Sequence, residues 1–201
     1  ASVLAFREAT ERARSFEHPA LVKVLDAGLD VVEGERVYFV VMEHLSGGSL
    51  RDMLDRGRRL TPSQALVIAL DACRALSYAH AQGAVHGDLR PASLQFGPDR
   101  RARLSGVGLA AATTAANMSL ERARYAAPEI GREEPVSAKS DVYSLAVLLV
   151  EAITGEVPFA GESVALTMAN KTDRLLPVSA DLGPLAAVLE RAARPDADDR
   201  Y

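Results

Sequence analysis

Apolar residues recur at Phe6, Ala9, Ala13 and Phe16, spacings of three and four that gather them on one side of a helix over residues 3–16. Arg7, Glu8, Glu11, Arg12 and Arg14 form mostly its wet face. His18-Pro19 ends this helix, because the residue before a proline is pushed out of the helical region. Two short apolar runs, residues 21–25 and 37–42, then read as strands, with Gly28 and Glu33-Gly34-Glu35 supplying turns. Residues 43–48 make a flexible polar joint, and Ser49 suits the N-cap of a short helix reaching Arg56.

The best-marked boundary is Thr61-Pro62-Ser63-Gln64, which joins an N-cap threonine, a proline at the first helical position and a glutamine three residues after the cap. The helix behind it carries Leu66, Ala69, Cys73, Leu76 and Ala79 on one face and stops at Gly83. Cys73 falls in that stripe and is expected to pack rather than react. His80, near the helix end, is expected to favour the dipole or make a surface contact. Residues 94–96 and 102–104 flank Gly97-Pro98-Asp99-Arg100 as a small hairpin. Residues 111–127 lack regular periodicity, and a loop that long inside a compact domain is usually functional or disordered. The run 142–154 is apolar almost all round, which places it in the middle of a lobe, and Gly155 ends it. Short helices near 162–170 and 184–193 follow, and no internal repeat is visible.

Composition narrows the function classes. A chain of 201 residues, 48% hydrophobic and 25% charged, has the balance of a globular domain with a substantial core. A net charge of −4 gives no global attraction to nucleic acid, which is not expected as a partner. One cysteine excludes an internal disulfide and, with no secretory pattern, suits a reducing cytoplasm. The longest uncharged apolar run, 142–150, is too short to span a bilayer. A start without Met and a stop at Asp199-Arg200-Tyr201 suggest a piece of something longer. Cytoplasmic localisation is expected, alone or as the cytoplasmic domain of a larger membrane protein.

Candidate chemistry concentrates in Val85-His86-Gly87-Asp88-Leu89-Arg90-Pro91-Ala92-Ser93-Leu94. A carboxylate accepts a proton and a guanidinium holds an anion, so His, Asp and Arg within five residues suit a reaction centre. They suit a salt-bridged turn equally well.

The surroundings of that stretch resemble a eukaryotic-type protein kinase, above all the bacterial Ser/Thr kinases. His86-Gly87-Asp88-Leu89-Arg90-Pro91-Ala92-Ser93 resembles the catalytic loop H-R-D-L-K-P-x-N, and Gly106-Val107-Gly108 falls where D-F-G belongs. Ala127-Pro128-Glu129 is similar to the A-P-E that closes the activation segment. Phe6-Arg7-Glu8-Ala9 resembles helix C, Val41-Met42-Glu43-His44-Leu45 the last small-lobe strand and hinge, and Asp141-Val142-Tyr143-Ser144-Leu145 the opening of the central large-lobe helix. The resemblance implies an α+β kinase-like fold: residues 1–45 as a partial small lobe ending in the hinge, and 46–201 as a mostly helical large lobe. It also implies structural roles for His86, Asp141, Glu129 and Arg200, the last two as a pair. Met42, Glu43 and Leu45 would face an adenine ring, and Glu8 would meet a lysine on a strand N-terminal to Ala1.

Departures from the family pattern are as informative. Kinases hold two metal ions through the D-F-G aspartate and the catalytic-loop asparagine, and here those positions carry Gly106 and Ser93. Glycine has no ligand atom, and a serine hydroxyl serves a hard cation poorly. Asp88 keeps the catalytic place, but the lysine two residues on is Arg90. Gly87 replaces the arginine that reads a phosphorylated activation segment, and Arg122 stands where the family has a threonine beside the catalytic aspartate. Metal stabilisation is worth several kcal/mol, so these losses slow transfer roughly a thousandfold or more at ~1.4 kcal/mol per tenfold.

The expectation is therefore a pseudokinase: no resident cofactor or weakly bound ATP, no Mg site, and Asp88 and Arg90 vestigial or weakly active. Its expected partners are proteins, including an upstream Ser/Thr kinase acting on Thr113, Thr114 or Ser119 and a phosphothreonine-binding domain reading the product. An active atypical kinase, recruiting Asp99 or Glu129 to a rebuilt metal site, is one alternative. A small-molecule phosphotransferase of the aminoglycoside or choline kinase type is another, since H-G-D is that group's loop; Ala127-Pro128-Glu129 and Asp141-Val142-Tyr143-Ser144-Leu145 speak against it.

Overall fold

Two long helices cross in the middle of the chain and everything that positions the loop at 85–94 is hung on them. In the computed structural model, which describes residues 3–109, 118–177 and 179–201, these are α3 (Pro62–Ala81) and α6 (Ala138–Thr154). Helix α3 starts as its sequence dictates: the Thr61 hydroxyl accepts the Gln64 N–H, and Gln64 Oε1 accepts the Thr61 N–H at 3.0 Å. Helix α6 is capped by Ser137 and Ser140 and ends at Gly155, whose φ of 82° is the left-handed conformation that glycine tolerates without cost. Its residues Tyr143 to Ile153 are buried almost without a break. It is the central core helix that its apolar character implied.

Before the pair come α1 (Val3–Arg14) and an antiparallel ribbon, β1 (Val24–Val32) with β2 (Glu35–Met42). The ribbon corrects the sequence reading in two ways. The first strand begins later and runs longer than 21–25, while Leu21 makes only an isolated bridge to Leu104. Gly28 is not a turn residue: it lies inside β1 opposite Phe39, whose ring sits where a Cβ at 28 would come within 2.5 Å. The turn is Glu33-Gly34.

Helix α2 (Leu50–Asp55) follows with Ser49 and Asp52 as a reciprocal cap. After α3 the 3₁₀ turn Pro91–Ser93 leads into the hairpin β3 (Leu94–Phe96) and β4 (Ala102–Leu104). Then come α4 (Leu120–Tyr125), α5 (Pro128–Gly131), α6, α7 (Val164–Thr172), a 3₁₀ segment Ala180–Leu185 and α8 (Ala186–Ala192). Helix α4 was not read from the sequence.

The buried face of α3 also differs from expectation. Ala65, Ile68, Ala72, Ala75, Leu76 and Ala79 point into the core, while Leu66 and Cys73 are exposed. They line an apolar groove of about 670 Å³ with residues of α6 and α8. Alanines let α3 approach its neighbours closely, and the larger side chains fall on the flank. Cys73 is therefore no core residue. Among the described residues no helix is long and apolar enough to cross a membrane.

Candidate functional site

The loop at 85–94 is held from beneath by Asp141 in the first turn of α6. One carboxylate oxygen accepts the Gly87 N–H at 2.8 Å, and the other accepts the His86 N–H at 2.8 Å. His80 reaches the same oxygen through Nε2 at 2.8 Å, so it braces Asp141 rather than making the surface contact expected of it. His86 is buried; its Nε2 donates to the Ser105 carbonyl at 2.9 Å and its Nδ1 accepts the Asp88 N–H at 3.2 Å. That pairing requires the neutral imidazole. Burial pushes the His86 pKa below its ordinary value despite the nearby Asp141 and Asp88. Gly87 bends the loop at φ 72°, a left-handed conformation in which a side chain is strained.

This scaffold presents Asp88, and two arginines have closed on it. Arg122 Nε on α4 donates to Oδ1 at 3.0 Å, and Arg90 Nη2 lies 3.3 Å from Oδ2. Arg90 continues to Glu121 Oε1 at 2.7 Å. Asp88, Arg90, Arg122 and Glu121 thus form one chain of alternating charge. Arg122 stands beside the aspartate, where its position in the sequence had put it.

Gly106 and Ser93 occupy the positions at which the resemblance places the metal ligands. Gly106 has no side chain and sits at φ 84°. The Ser93 hydroxyl is engaged in its own turn, accepting the Arg90 N–H at 3.3 Å and facing the Asp88 carbonyl at 3.5 Å. Among the described residues no group of three or more His, Cys, Asp or Glu is arranged to hold a metal. Neither substitute carboxylate is free. Glu129 is bound by Arg200 and by the Ser140 hydroxyl, and Asp99 pairs with Arg103 at 3.0 Å.

Glu129 and Arg200 are joined as expected, both buried. Burial opposes the carboxylate, but the Arg200, main-chain and Ser140 hydrogen bonds prevail and hold the Glu129 pKa below the usual carboxylate range.

The expected nucleotide-facing residues are dispersed. Met42 packs at the end of β2 with Ala13, Val24 and Leu109. Leu45 is buried. Glu43 folds back, its carboxylate accepting the Lys23 N–H at 2.8 Å and its own N–H donating to the Lys23 carbonyl at 2.9 Å. Glu8 is exposed on α1, and no cation pairs with it among the described residues. Of the candidate phosphorylation sites, Thr113 and Thr114 lie outside the described residues. Ser119 is exposed and caps α4 by accepting the Arg122 N–H at 3.2 Å.

A residue missed by the sequence reading is Lys171, buried on α7 with its ammonium against three main-chain carbonyls of the α4 end. Nothing in a lone lysine near a helix end distinguishes it from a solvated one.

Three tethers therefore frame this loop: Asp141 beneath the H-x-D backbone, Glu129 on Arg200, and a short helix over the aspartate. These define a protein-kinase large lobe. A family model described as "Protein kinase domain" matches residues 4–192, and the chain belongs to that family. Within it the chain is 35% identical over 98% of its length to the serine/threonine-protein kinase PknB of Mycolicibacterium smegmatis. It is 32% identical, over the same share, to PknB of Mycobacterium tuberculosis. Over 79% of its length it is 34% identical to the probable serine/threonine-protein kinase SCO3848 of Streptomyces coelicolor. The chain spans about a third of the length of the PknB relatives and 24% of the Streptomyces protein.

Proposed function

We propose that this chain is a regulatory kinase-like module of bacterial Ser/Thr kinase signalling in which phosphoryl transfer is disabled. The double occupation of the Asp88 carboxylate, by Arg122 on one oxygen and Arg90 on the other, carries this reading. A substrate hydroxyl needs one of those oxygens within about 3 Å to accept its proton, and a guanidinium fills the approach on each side. The residues at 93 and 106 add the second deficit. Without metal neutralisation of the transferring phosphoryl group, several kcal/mol of transition-state stabilisation are lost.

ATP then binds weakly or not at all, through residues 42–45 and without help from Mg. Partners are proteins: an upstream Ser/Thr kinase, with Ser119 and the neighbouring threonines as acceptors, and a phosphothreonine-binding domain. The domain acts in the cytoplasm. The test is phosphate transfer from labelled ATP to the chain itself and to a basic protein substrate, comparing wild type with Asp88→Asn. Background incorporation in both supports the proposal, whereas transfer that disappears in Asp88→Asn overturns it.

A second reading, an active but atypical Ser/Thr protein kinase, has its own support. The relatives are named as kinases, and the tethers that shape the loop are complete around a retained Asp88. Family membership favours both readings over a small-molecule phosphotransferase.

A further inference from the structure

Lys171 is a fully buried lysine on α7, the shelf under α4. Its Nζ donates to the carbonyls of Ala123 at 2.6 Å, Arg124 at 2.8 Å and Ala126 at 2.8 Å. An ammonium has three N–H donors, so each finds an acceptor. The Tyr143 ring lies alongside, its centroid 5.6 Å from Nζ.

The acceptors belong to the turn that begins immediately after Arg122. The Arg122 carbonyl is itself taken by the Ala126 N–H at 2.9 Å. A helix of six residues has too few internal hydrogen bonds to fix its own position, and its last carbonyls lack partners unless something outside supplies them. Apolar packing alone does not meet that need. Met168 and Ala123 share a buried cluster beneath α4, but a side chain of carbon and sulfur offers the carbonyls nothing. Other tethers on α4 grip side chains: the Tyr125 hydroxyl donates to Glu151 at 2.7 Å, Arg51 joins the same carboxylate at 2.9 Å, and Glu121 meets Arg90. Among the described residues, only Lys171 grips the main chain of this turn from α7.

We propose that Lys171 is the positioning residue of the Arg122–Asp88 contact, seating the main chain of α4 so that Arg122 covers the aspartate. Lys171 touches neither member of the pair and acts through the carbonyls at 123, 124 and 126. The inference deepens the proposed function by identifying what keeps Asp88 closed, and it rests on that reading for its significance. The Arg90 arm needs no such support, because Arg90 is two residues from Asp88 in the same loop.

A lysine that merely stabilises the lobe and a lysine that seats Arg122 differ in one observable. The first lowers the stability of every variant equally, whereas the second changes the coupling between positions 88 and 122. The experiment is a double-mutant cycle with Asp88→Asn and Arg122→Ala, measured by urea denaturation in wild-type and Lys171→Met backgrounds. It is paired with hydrogen exchange of the Arg122 Nε–H followed by NMR. In Lys171→Met the coupling disappears and the Nε–H exchanges at least about tenfold faster, the factor that ~1.4 kcal/mol of lost protection represents. Lys171→Arg, which keeps charge and donors, restores both. Unchanged coupling and unchanged exchange in a folded Lys171→Met protein would overturn the proposal. If that variant does not fold, Lys171→Gln, which keeps two donors without a buried charge, is read by the same two criteria. Neither measurement involves phosphate transfer. Activity in the wild type would sink the proposed function and leave this inference standing, and unchanged coupling would do the reverse.

Discussion

Arg200 closes on Glu129 through two parallel hydrogen bonds, Nη1 to Oε1 at 2.8 Å and Nη2 to Oε2 at 2.9 Å, with both side chains out of solvent. The same guanidinium donates to the carbonyls of Lys139, Arg194 and Pro195, which ties three chain segments together. Arg200→Met leaves the Glu129 carboxylate buried without its cation, a change that typically costs about 3–5 kcal/mol. Chemical denaturation should show a loss of that size with an unchanged slope. A loss under about 1 kcal/mol, the range of surface pairs, would mean that the pair is not the clamp its geometry indicates.

Arg122 and Asp88 are each about one-fifth exposed, so the contact between them contributes little to global stability. Arg122→Thr should shift the unfolding free energy by no more than about 1 kcal/mol. It should also create no phosphate transfer under the proposed function, because positions 93 and 106 still carry serine and glycine. Robust transfer from that single variant would show Arg122 to be the sole block, and would favour the active-kinase reading.

Restoring the metal donors is the complementary test. A Cβ at Gly106 meets nothing nearer than His86 at 3.8 Å, so an aspartate fits, although φ 84° strains it by ~1–3 kcal/mol. A ligand that binds only the folded state raises the melting temperature by mass action. ATP should give the wild type a small shift or none, indifferent to magnesium. Gly106→Asp combined with Ser93→Asn should show a shift that grows when magnesium is added. A large magnesium-dependent shift in the wild type would contradict the account of this site.

Three groups with lowered pKa values contribute to how stability varies with pH. Burial lowers the His86 pKa from its ordinary 6.5, the Arg200 and Ser140 hydrogen bonds lower that of Glu129 against its burial, and burial lowers that of Lys171 from 10.5 to about 7. In each case the unfolded chain holds the proton more tightly, so stability rises with pH across the window between the two values. Lys171 faces the Tyr143 ring, and Arg200 stacks on the same ring at 4.9 Å. Urea midpoints should therefore fall below pH 6.5 as His86 and then Glu129 take up protons, and climb from pH 7 towards 10. In Lys171→Met the alkaline climb should vanish while the acid limb stays. A wild type whose midpoint is flat from pH 7 to 10 would show that Lys171 keeps its proton when folded.

Much of this fold was legible in the sequence because its boundaries are written in local chemistry. The Thr61–Gln64 box, Ser49 and the glycines at 83 and 155 stop or start helices by hydrogen bonding and backbone conformation alone, and the structure uses each of them that way. Asp141, Glu129 and Arg200 were found through motif spacing. What escaped depended on tertiary partners. Helix α4 has no apolar period of its own and exists through Lys171, Tyr125 and Arg122. The inward face of α3 could not be chosen from periodicity, because its apolar residues run most of the way round and packing selected the alanines. Gly28 read as a turn because nothing local announces that Phe39 lies across it.

Helix α3 therefore leaves the chain's one cysteine facing solvent along the groove between α3, α6 and α8. A single accessible thiol is a ready point of attachment for a fluorophore or spin label, with no engineering of other positions. Desolvation lifts the Cys73 pKa, so the thiolate forms late and coupling should be run in alkaline buffer. The label would sit in that groove, whose lining includes Cys73 and His80 but not Asp88.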